Sequence, residues 1–268
     1  MIEDRIKQME RERRMLAERL QFFDASIWLG RPEGFPLARE LEPDRMKEAL
    51  ERRFVTGGLV SHWRGKTVSA QDGNEVVVQA VRRMGETFFA VWTGLPLFPL
   101  EAGAVPGCEA VPKEVRAIRI FPRSHNFPLA DWCIGSLCEW LVNRRLPVFI
   151  WHTELDWPSL HALAKAFPAL KIIVETQTQK ILYHTRALFA LMRECPNLLV
   201  ELSNFAGSGF IEYAVEKFGA ERLIFGSFFP MNDPLVAMGM VLDARISEEG
   251  KALIAGGNLR RLVSEVRQ

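Results

Sequence analysis

The sequence predicts an α/β protein, a (β/α)8 TIM barrel with an amphipathic helix before it and closing helices after it. Three observations lead to this fold. Eight short apolar runs alternate with longer segments of helical periodicity, the runs are nearly continuous in hydrophobicity, and no glycine loop of the GxGxxG type follows the first run. Strands buried on both faces are typical of a parallel sheet covered by helices, and the count of eight favours a closed barrel over an open doubly wound sheet.

The first element is a predicted helix over residues 1–20, which precedes a single barrel domain over residues 21–268. Its apolar residues recur at helical spacing on one face, namely Ile2, Ile6, Met9, Leu16 and Leu20. Charged residues of both signs fill most of the other positions. We interpret the segment as a solvated helix that packs its apolar stripe on the domain or on a partner chain, so a homodimer is compatible with it.

The barrel elements follow in order along the chain. The predicted strands cover residues 21–29, 57–63, 87–94, 117–121, 147–153, 171–175, 198–202 and 222–228. The predicted helices cover residues 42–53, 74–84, 129–145, 156–167, 182–195, 210–219 and 233–244. Residues 95–115 are too rich in Pro and Gly for a full helix, and residues 247–266 predict a helix pair that closes the bottom of the barrel. Capping residues support three helix starts: Asp156, Asp233 and Ser247.

Composition narrows the class of partner. With 34 basic and 33 acidic residues the net charge is +1, which gives no electrostatic case for nucleic acid or an anionic membrane and favours a small-molecule ligand. The chain shows no signal-peptide core and no long apolar span. Its four cysteines, Cys108, Cys133, Cys138 and Cys195, lack the pair spacing of zinc ligands, which is typical of reduced thiols in a cytoplasmic protein.

Several stretches carry a family resemblance. They are "FFDASIWLG" in the first strand, "LPVFIWHTE" in the fifth, "FPALKIIVE" in the sixth, "RLIFGSFFP" in the eighth and "IAGGNLRRL" near the end. Over roughly residues 20–265 the chain resembles the amidohydrolase superfamily, in its amidohydrolase-related branch. The resemblance implies a divalent metal held by a first-strand Asp-x-His-x-His, histidines of the fifth and sixth strands and an eighth-strand Asp. That metal activates a water for hydrolysis or, in some relatives, supports decarboxylation.

The sequence departs from this pattern at most of the metal-ligand places. The Asp of the first strand is retained as Asp24, while the other places hold Ser26, Trp28, Trp151, Glu175 and Phe228. His152 follows the fifth-strand place by one residue, which turns it to the other face of the strand unless a bulge intervenes. Three or four N, O or S donors are needed to hold zinc, so we predict that the inherited metal centre is lost and that no cofactor is bound.

Polar residues at the C-terminal ends of the strands are candidates for a rebuilt site, because barrel enzymes place their working groups there. The predicted catalytic residues are Asp24, His152, Glu175 and Glu201. The predicted substrate-binding residues are Ser26, Arg119, Arg123, Glu154 and Ser227. A structural role is open for each, since Asp24 can accept hydrogen bonds from Ser227, and Glu175 or Glu201 can form an ion pair with an arginine of the rim.

Three functions remain open from the sequence. The first is a hydrolase of the amidohydrolase type that acts on a small carboxylate, amide or ester, with acid and base work by carboxylates and a histidine. The second is a non-catalytic barrel, for binding or for structure, whose former pocket is filled by Trp28, Trp151 and Phe228. The third is a relocated site for one divalent metal such as zinc, with His62, His125, His152 and a carboxylate as ligands.

Overall fold

Eight parallel strands form one sheet in which each strand pairs with the next in chain order. The computed structural model describes residues 2–32, 40–96, 111–177, 179 and 181–267. The strands are β1 Phe22–Leu29, β2 Val55–His62, β3 Phe88–Thr93, β4 Val115–Ile120, β5 Val148–Trp151, β6 Ile172–Glu175, β7 Leu198–Glu201 and β8 Leu223–Ile224. The segment after β8 returns to β1, where Phe225 O accepts from Ala25 N at 3.0 Å and Phe229 O accepts from Trp28 N at 2.8 Å. The predicted (β/α)8 barrel is confirmed.

Helices surround this sheet. They are α1 Ile2–Leu20, α2 Pro43–Glu51, α3 Trp63–Thr67, α4 Ala70–Met84, α5 Asp131–Arg144, α6 Trp157–Ala166, α7 Thr185–Glu194, α8 Phe210–Phe218, α9 Pro234–Asp243, α10 Glu248–Ala252 and α11 Asn258–Ser264. The predicted caps of α6, α9 and α10 are present: Asp156 accepts from Ser159 N, Asp233 from Leu235 N and Ser247 from Gly250 N. No helix in the described part of the chain is both long and apolar enough to cross a membrane.

Some boundaries differ from the sequence prediction. The eighth strand was predicted to reach residue 228, but regular pairing ends at Ile224 and Phe228 has a φ of 61°. The helix predicted from residue 74 begins at Ala70, because Ser69 caps it by accepting from Asp72 N at 3.2 Å. Helix α3 was not predicted. Cys108 and most of the Pro- and Gly-rich stretch after β3 lie outside the described residues.

The core has two parts, divided by the sheet. The larger part lies between the strands and the surrounding helices. The smaller part fills the lower half of the barrel with inward-facing residues, and α11 adds Leu259, Leu262 and Val263 to it from below. The C-terminal helices therefore close the bottom of the barrel, as the sequence predicts. The inner apolar layer consists of Phe23, Ala25, Leu59, Val91, Ala117, Phe149, Ile173, Leu199, Ile224 and these three residues.

Candidate functional site

Strand alternation places a polar layer directly above the inner apolar layer. Successive side chains of a strand point to opposite faces, so the residue two positions after an inward one also points inward. Ser61 follows Leu59, Arg119 follows Ala117, Glu175 follows Ile173 and Glu201 follows Leu199 in this way. All four polar residues are buried near the C-terminal ends of their strands, where barrel proteins place their sites.

A two-bonded ion pair between Arg119 and Glu175 lies in this layer. Arg119 Nε donates to Glu175 Oε2 at 2.7 Å and Nη2 donates to Oε1 at 2.6 Å. The side chains are 1% and 0% exposed. Arg119 also donates to Ser61 Oγ, and Nη2 lies 3.4 Å from Ala25 O. Burial raises the pKa of Glu175, while the contacts with Arg119 and Gln177 oppose that shift.

Gln177 links this pair to the neighbouring strands. Its Nε2 donates to Glu175 Oε1 at 2.9 Å, and its Oε1 accepts from Ser26 Oγ at 3.0 Å and from Ser203 Oγ at 3.1 Å. Ser26 Oγ in turn accepts from Trp28 Nε1 at 3.1 Å. Trp28, Ser26 and Gln177 thus form a chain of donors that ends at the Glu175 carboxylate, and each of these side chains has its partners.

The buried position of Glu201 beside Glu175 favours its protonated form at neutral pH. Burial, and then the nearby Glu175 carboxylate, raise its pKa to about 8. Thr176 N and Ser203 N donate to its oxygens at 3.2 and 2.8 Å, which opposes the shift without cancelling it. The Ser203 hydroxyl has one proton but two acceptors within reach, Gln177 Oε1 at 3.1 Å and Glu201 Oε2 at 2.9 Å. A proton on Glu201 Oε2 satisfies both contacts, because it donates to Ser203 Oγ and leaves the hydroxyl proton for Gln177.

Asp24 joins the first strand to the segment after the eighth. Its Oδ1 accepts from Ser26 N at 2.8 Å and from Ser227 N at 2.9 Å, and its Oδ2 accepts from Ser227 Oγ. Burial raises its pKa to about 6, against the opposing effect of these hydrogen bonds and of Arg119. Asp24 and Ser227 therefore help to close the barrel.

An aromatic cluster covers the polar layer. We call it the aromatic plug, and it consists of Trp28, Trp63, Phe121, Trp151 and Phe228, each between 1% and 3% exposed. Trp28 lies at its centre, with ring centroids 4.8 Å from Trp63, 5.4 Å from Trp151 and 6.1 Å from Phe228. Trp28 also lies against the guanidinium below it, with its ring centroid 4.7 Å from Arg119 Cζ. The three aromatic residues at metal-ligand places thus pack together over the ion pair.

Lys66 of α3 and two loop residues, Ser124 and Glu154, cover the aromatic plug from above. Lys66 Nζ lies 5.6 Å from the Phe121 ring centroid and 5.4 Å from that of Trp151. It donates to Ser124 Oγ at 2.9 Å and lies 3.8 Å from Glu154 Oε1. Glu154 accepts from Ser124 N at 2.7 Å and from the Ser124 hydroxyl. These contacts join the segments that follow β2, β4 and β5.

The remaining predicted site residues lie outside the polar layer. His152 is buried with Nδ1 3.2 Å from the carbonyl oxygen of Glu175, and its ring lies 5.7 Å from that of His184. Burial lowers the pKa of His152 to about 4, so the ring is neutral at pH 7. Arg123 is exposed. It lies with Glu154 in a pocket of about 380 Å³ between the segments after β4 and β5, which we call the rim pocket.

The rim pocket combines an apolar wall with a few polar groups. Its acidic residues have partners, since Glu154 bonds Ser124 and Asp156 caps α6 through Ser159. Arg123 has no carboxylate within ion-pair distance among the described residues. The other lining residues are Pro122, Asn126, Phe127, Pro128, Leu129 and Leu155.

The residues of this region that the sequence did not mark as candidates include Ser61, Lys66, Phe121 and Ser124. Alternation alone could have identified two of them, because Ser61 follows the inward Leu59 and Phe121 follows the inward Arg119. Lys66 lies in a short helix and Ser124 in a loop, and in neither does a periodic sequence pattern predict which way the side chain points.

The side chains described at the barrel axis do not fit a divalent metal ion. Trp28, Trp151 and Phe228 offer no lone pair suited to a metal, and the Glu175 carboxylate is bonded through both oxygens to Arg119. Among the residues that the structure describes, no group of three or more His, Cys, Asp or Glu side chains is arranged to hold one. His62 and His125 are used elsewhere, with His62 Nδ1 accepting from Arg64 N and His125 Nε2 lying 2.9 Å from Lys66 O.

Comparisons with known proteins agree with this architecture. The family model described as amidohydrolase matches residues 10–264. No curated protein matches the sequence. The fold is similar to that of 5-carboxyvanillate decarboxylase from Sphingomonas paucimobilis, with a TM-score of 0.69, 15% identity and coverage of 91% of this chain and 99% of that one.

Two further solved structures are similar over most of their length. An amidohydrolase from Burkholderia multivorans with bound zinc has a TM-score of 0.70 and 15% identity, covering 91% of this chain and 99% of that one. 4-Oxalomesaconate hydratase from Rhodopseudomonas palustris has a TM-score of 0.65 and 16% identity, covering 91% and 96%. At such identities the likeness concerns the fold.

Proposed function

The chain belongs to the amidohydrolase family, and we propose that it is a binding protein of that family whose barrel axis no longer carries out metal-dependent chemistry. Its ligand is a small carboxylate with an apolar or aromatic body, bound in the rim pocket. The proposal separates the fold, which the family shares, from the site, in which this sequence differs.

The aromatic plug is the observation that carries this proposal. A substrate that approached Glu175 along the barrel axis would have to displace Trp28, Trp151 or Phe228. These side chains are at most 3% exposed, and Phe228 packs edge to face with both tryptophans. To reach the polar layer, a substrate would have to move at least one large aromatic side chain out of its buried position. The free energy required is about 3–5 kcal/mol, judged from the destabilisation caused by truncating a buried Phe or Trp to Ala. The saturated hydrogen bonds below the plug support a structural role for the layer.

The rim pocket supplies the ligand class. A volume of about 380 Å³ is in the range of small-molecule sites. Its apolar wall suits a hydrocarbon or aromatic body, and Arg123 is the pocket's cation without a described carboxylate partner. The name of one structurally similar protein, 5-carboxyvanillate decarboxylase, refers to an aromatic carboxylate, which makes benzoate and vanillate reasonable probes.

The first experiment combines metal analysis with ligand titration. We expect protein purified without chelator to hold metal well below one equivalent. We also expect benzoate or vanillate to shift the amide resonances of the non-proline residues in 122–129 and 154–159. Arg123→Gln should weaken this binding about tenfold, since a charge-assisted hydrogen bond contributes about 1.5–3 kcal/mol. Arg261→Gln, an exposed arginine on α11, is the matched control and should leave binding unchanged. Stoichiometric metal, or no saturable shift with either probe, would contradict the proposal.

A second candidate function has one observation in its favour. Glu201 is a buried carboxyl group with a raised pKa beside Glu175, and such a pair of carboxyl groups can act in general acid–base catalysis. An enzyme that uses it would act on a small carboxylate, amide or ester without metal, and the aromatic plug would have to open. Turnover of such a substrate that Glu201→Gln abolishes and Arg123→Gln leaves unchanged would favour this enzyme over the binding protein.

A further inference from the structure

The barrel axis contains a fixed cation although its side chains do not fit a divalent metal. That cation is the guanidinium of Arg119, which is 1% exposed. We propose that this guanidinium takes the place of the metal ion, and that removal of the Arg119 side chain leaves a cavity that binds a free guanidinium ion. The inference rests on the proposed loss of metal chemistry at the axis and is independent of the rim pocket.

Oxygen atoms from three strands surround the edge of the guanidinium. Glu175 of β6 contributes both carboxylate oxygens at 2.7 and 2.6 Å, Ser61 of β2 contributes its hydroxyl and Ala25 of β1 its carbonyl at 3.4 Å. Since Arg119 itself belongs to β4, one side chain connects four strands of the barrel. A bound metal would connect strands in the same manner, through donors that converge on one positive charge.

The central carbon of the guanidinium lies over two aromatic rings. The Trp28 ring centroid lies 4.7 Å from Arg119 Cζ and belongs to the plug above. The Phe149 ring centroid lies 5.4 Å from it and belongs to the apolar layer below. Oxygen acceptors at the N–H groups and aromatic rings close to Cζ match a planar, delocalised cation, whereas a metal ion needs lone-pair donors.

The charges of the layer explain why a cation is needed there. Glu175 is 0% exposed, and without Arg119 its negative charge would be buried with only Gln177 as a described side-chain hydrogen-bond donor. Asp24 is also buried and is within electrostatic range of Arg119. Arg119 therefore pairs directly with the Glu175 carboxylate and also stabilises the negative charge of Asp24.

The test is chemical rescue of Arg119→Ala. We expect its Tm to fall well below that of the wild type and to recover with guanidinium at about 10 mM, far below the molar concentrations that unfold proteins. Urea at the same concentration is planar and uncharged and should not raise the Tm. The double variant Arg119→Ala with Glu175→Gln should not respond to guanidinium, because it lacks the carboxylate that binds it.

Several outcomes would overturn the inference. An equal response to urea, or an equal response of the double variant, would show that the cavity does not select a planar cation. A larger Tm increase with zinc than with guanidinium would show that it is a metal site. If Arg119→Ala does not fold, Arg119→Lys tests the same point, because a lysine retains the charge without the planar donors. A wild-type Tm for Arg119→Lys would refute the need for a guanidinium. Metal analysis of the wild-type protein tests the proposed function separately.

Discussion

At the scale of single residues, the proton on Glu201 has a measurable consequence. Its pKa is raised from 4.5 to about 8 in the folded protein, so between these values the folded state binds one proton more than the unfolded state. We therefore expect the contribution of Glu201 to stability to fall as pH rises from about 5 to about 8, by about 1.4 kcal/mol per pH unit. Asp24, with its pKa raised to about 6, adds a fall of the same sign at lower pH.

We predict that Glu201→Gln removes the contribution of Glu201 to the loss of folding stability at rising pH. The amide resembles the protonated acid in shape and can donate to Ser203, so the variant should gain stability relative to the wild type as pH rises from about 5 to 8, by about 1.4 kcal/mol per unit. Urea unfolding of both proteins at pH 5, 6, 7 and 8 measures the difference. Parallel stability curves would show that Glu201 is ionised in the fold.

At the scale of elements, α1 has two halves with different environments. Ala17 and Leu20 are buried at 3% and 8% exposure, whereas Met9 is 58% exposed and Ile6 is 50% exposed. Arg13 and Arg19 hold the second half through ion pairs with Asp243 and Glu248. Short helices without tertiary packing are marginal in water, so the packed half stabilises the helix.

We predict that two substitutions on the same apolar stripe differ in cost. Leu20→Ala should destabilise the protein by about 2–3 kcal/mol, and Met9→Ala by less than about 0.5 kcal/mol. Denaturant unfolding at low protein concentration measures both. A Met9→Ala cost close to that of Leu20→Ala, increasing with protein concentration, would indicate that the exposed half is covered in a homodimer, which the sequence leaves open.

At the scale of the whole molecule, the barrel interior consists of three layers along its axis. The inner apolar layer at the bottom is completed by α11, the polar layer lies above it, and the aromatic plug lies above that. The polar layer is therefore enclosed by apolar groups on both sides. Enclosure is the reason that the pKa values of Glu175 and Glu201 are raised, because burial disfavours the charged form of a carboxyl group.

We predict that α11 is part of the barrel core and no appendage. Leu259 is 1% exposed within the inner apolar layer, so Leu259→Ala should cost about 2–4 kcal/mol. Its exposed neighbour Arg261 is the control, and Arg261→Ala should change stability by less than about 0.5 kcal/mol. Thermal or urea unfolding measures both. A small cost for Leu259→Ala would show that the barrel closes without the C-terminal helix.

The sequence by itself determined the number and order of the strands, most of the helices and the family. These follow from local features, since apolar runs, helical periodicity and capping residues act over a few positions. It also identified Arg119, Glu175 and Phe228 as residues of one region through their places at strand ends. The predicted element boundaries were wrong where the backbone is irregular. An example is the short β8, which is followed by a segment with Phe228 at positive φ.

Only the tertiary structure decided which of these side chains meet. Arg119 and Glu175 are 56 residues apart, and Asp24 and Ser227 are 203 residues apart, so their contacts depend on the register of strands across the barrel. The sequence left a catalytic carboxylate and an arginine ion pair as equal alternatives for Glu175, and the fold brought the arginine to it. The physical reason is that a pairing energy depends on distance and burial, and both are properties of the closed barrel and not of any one strand.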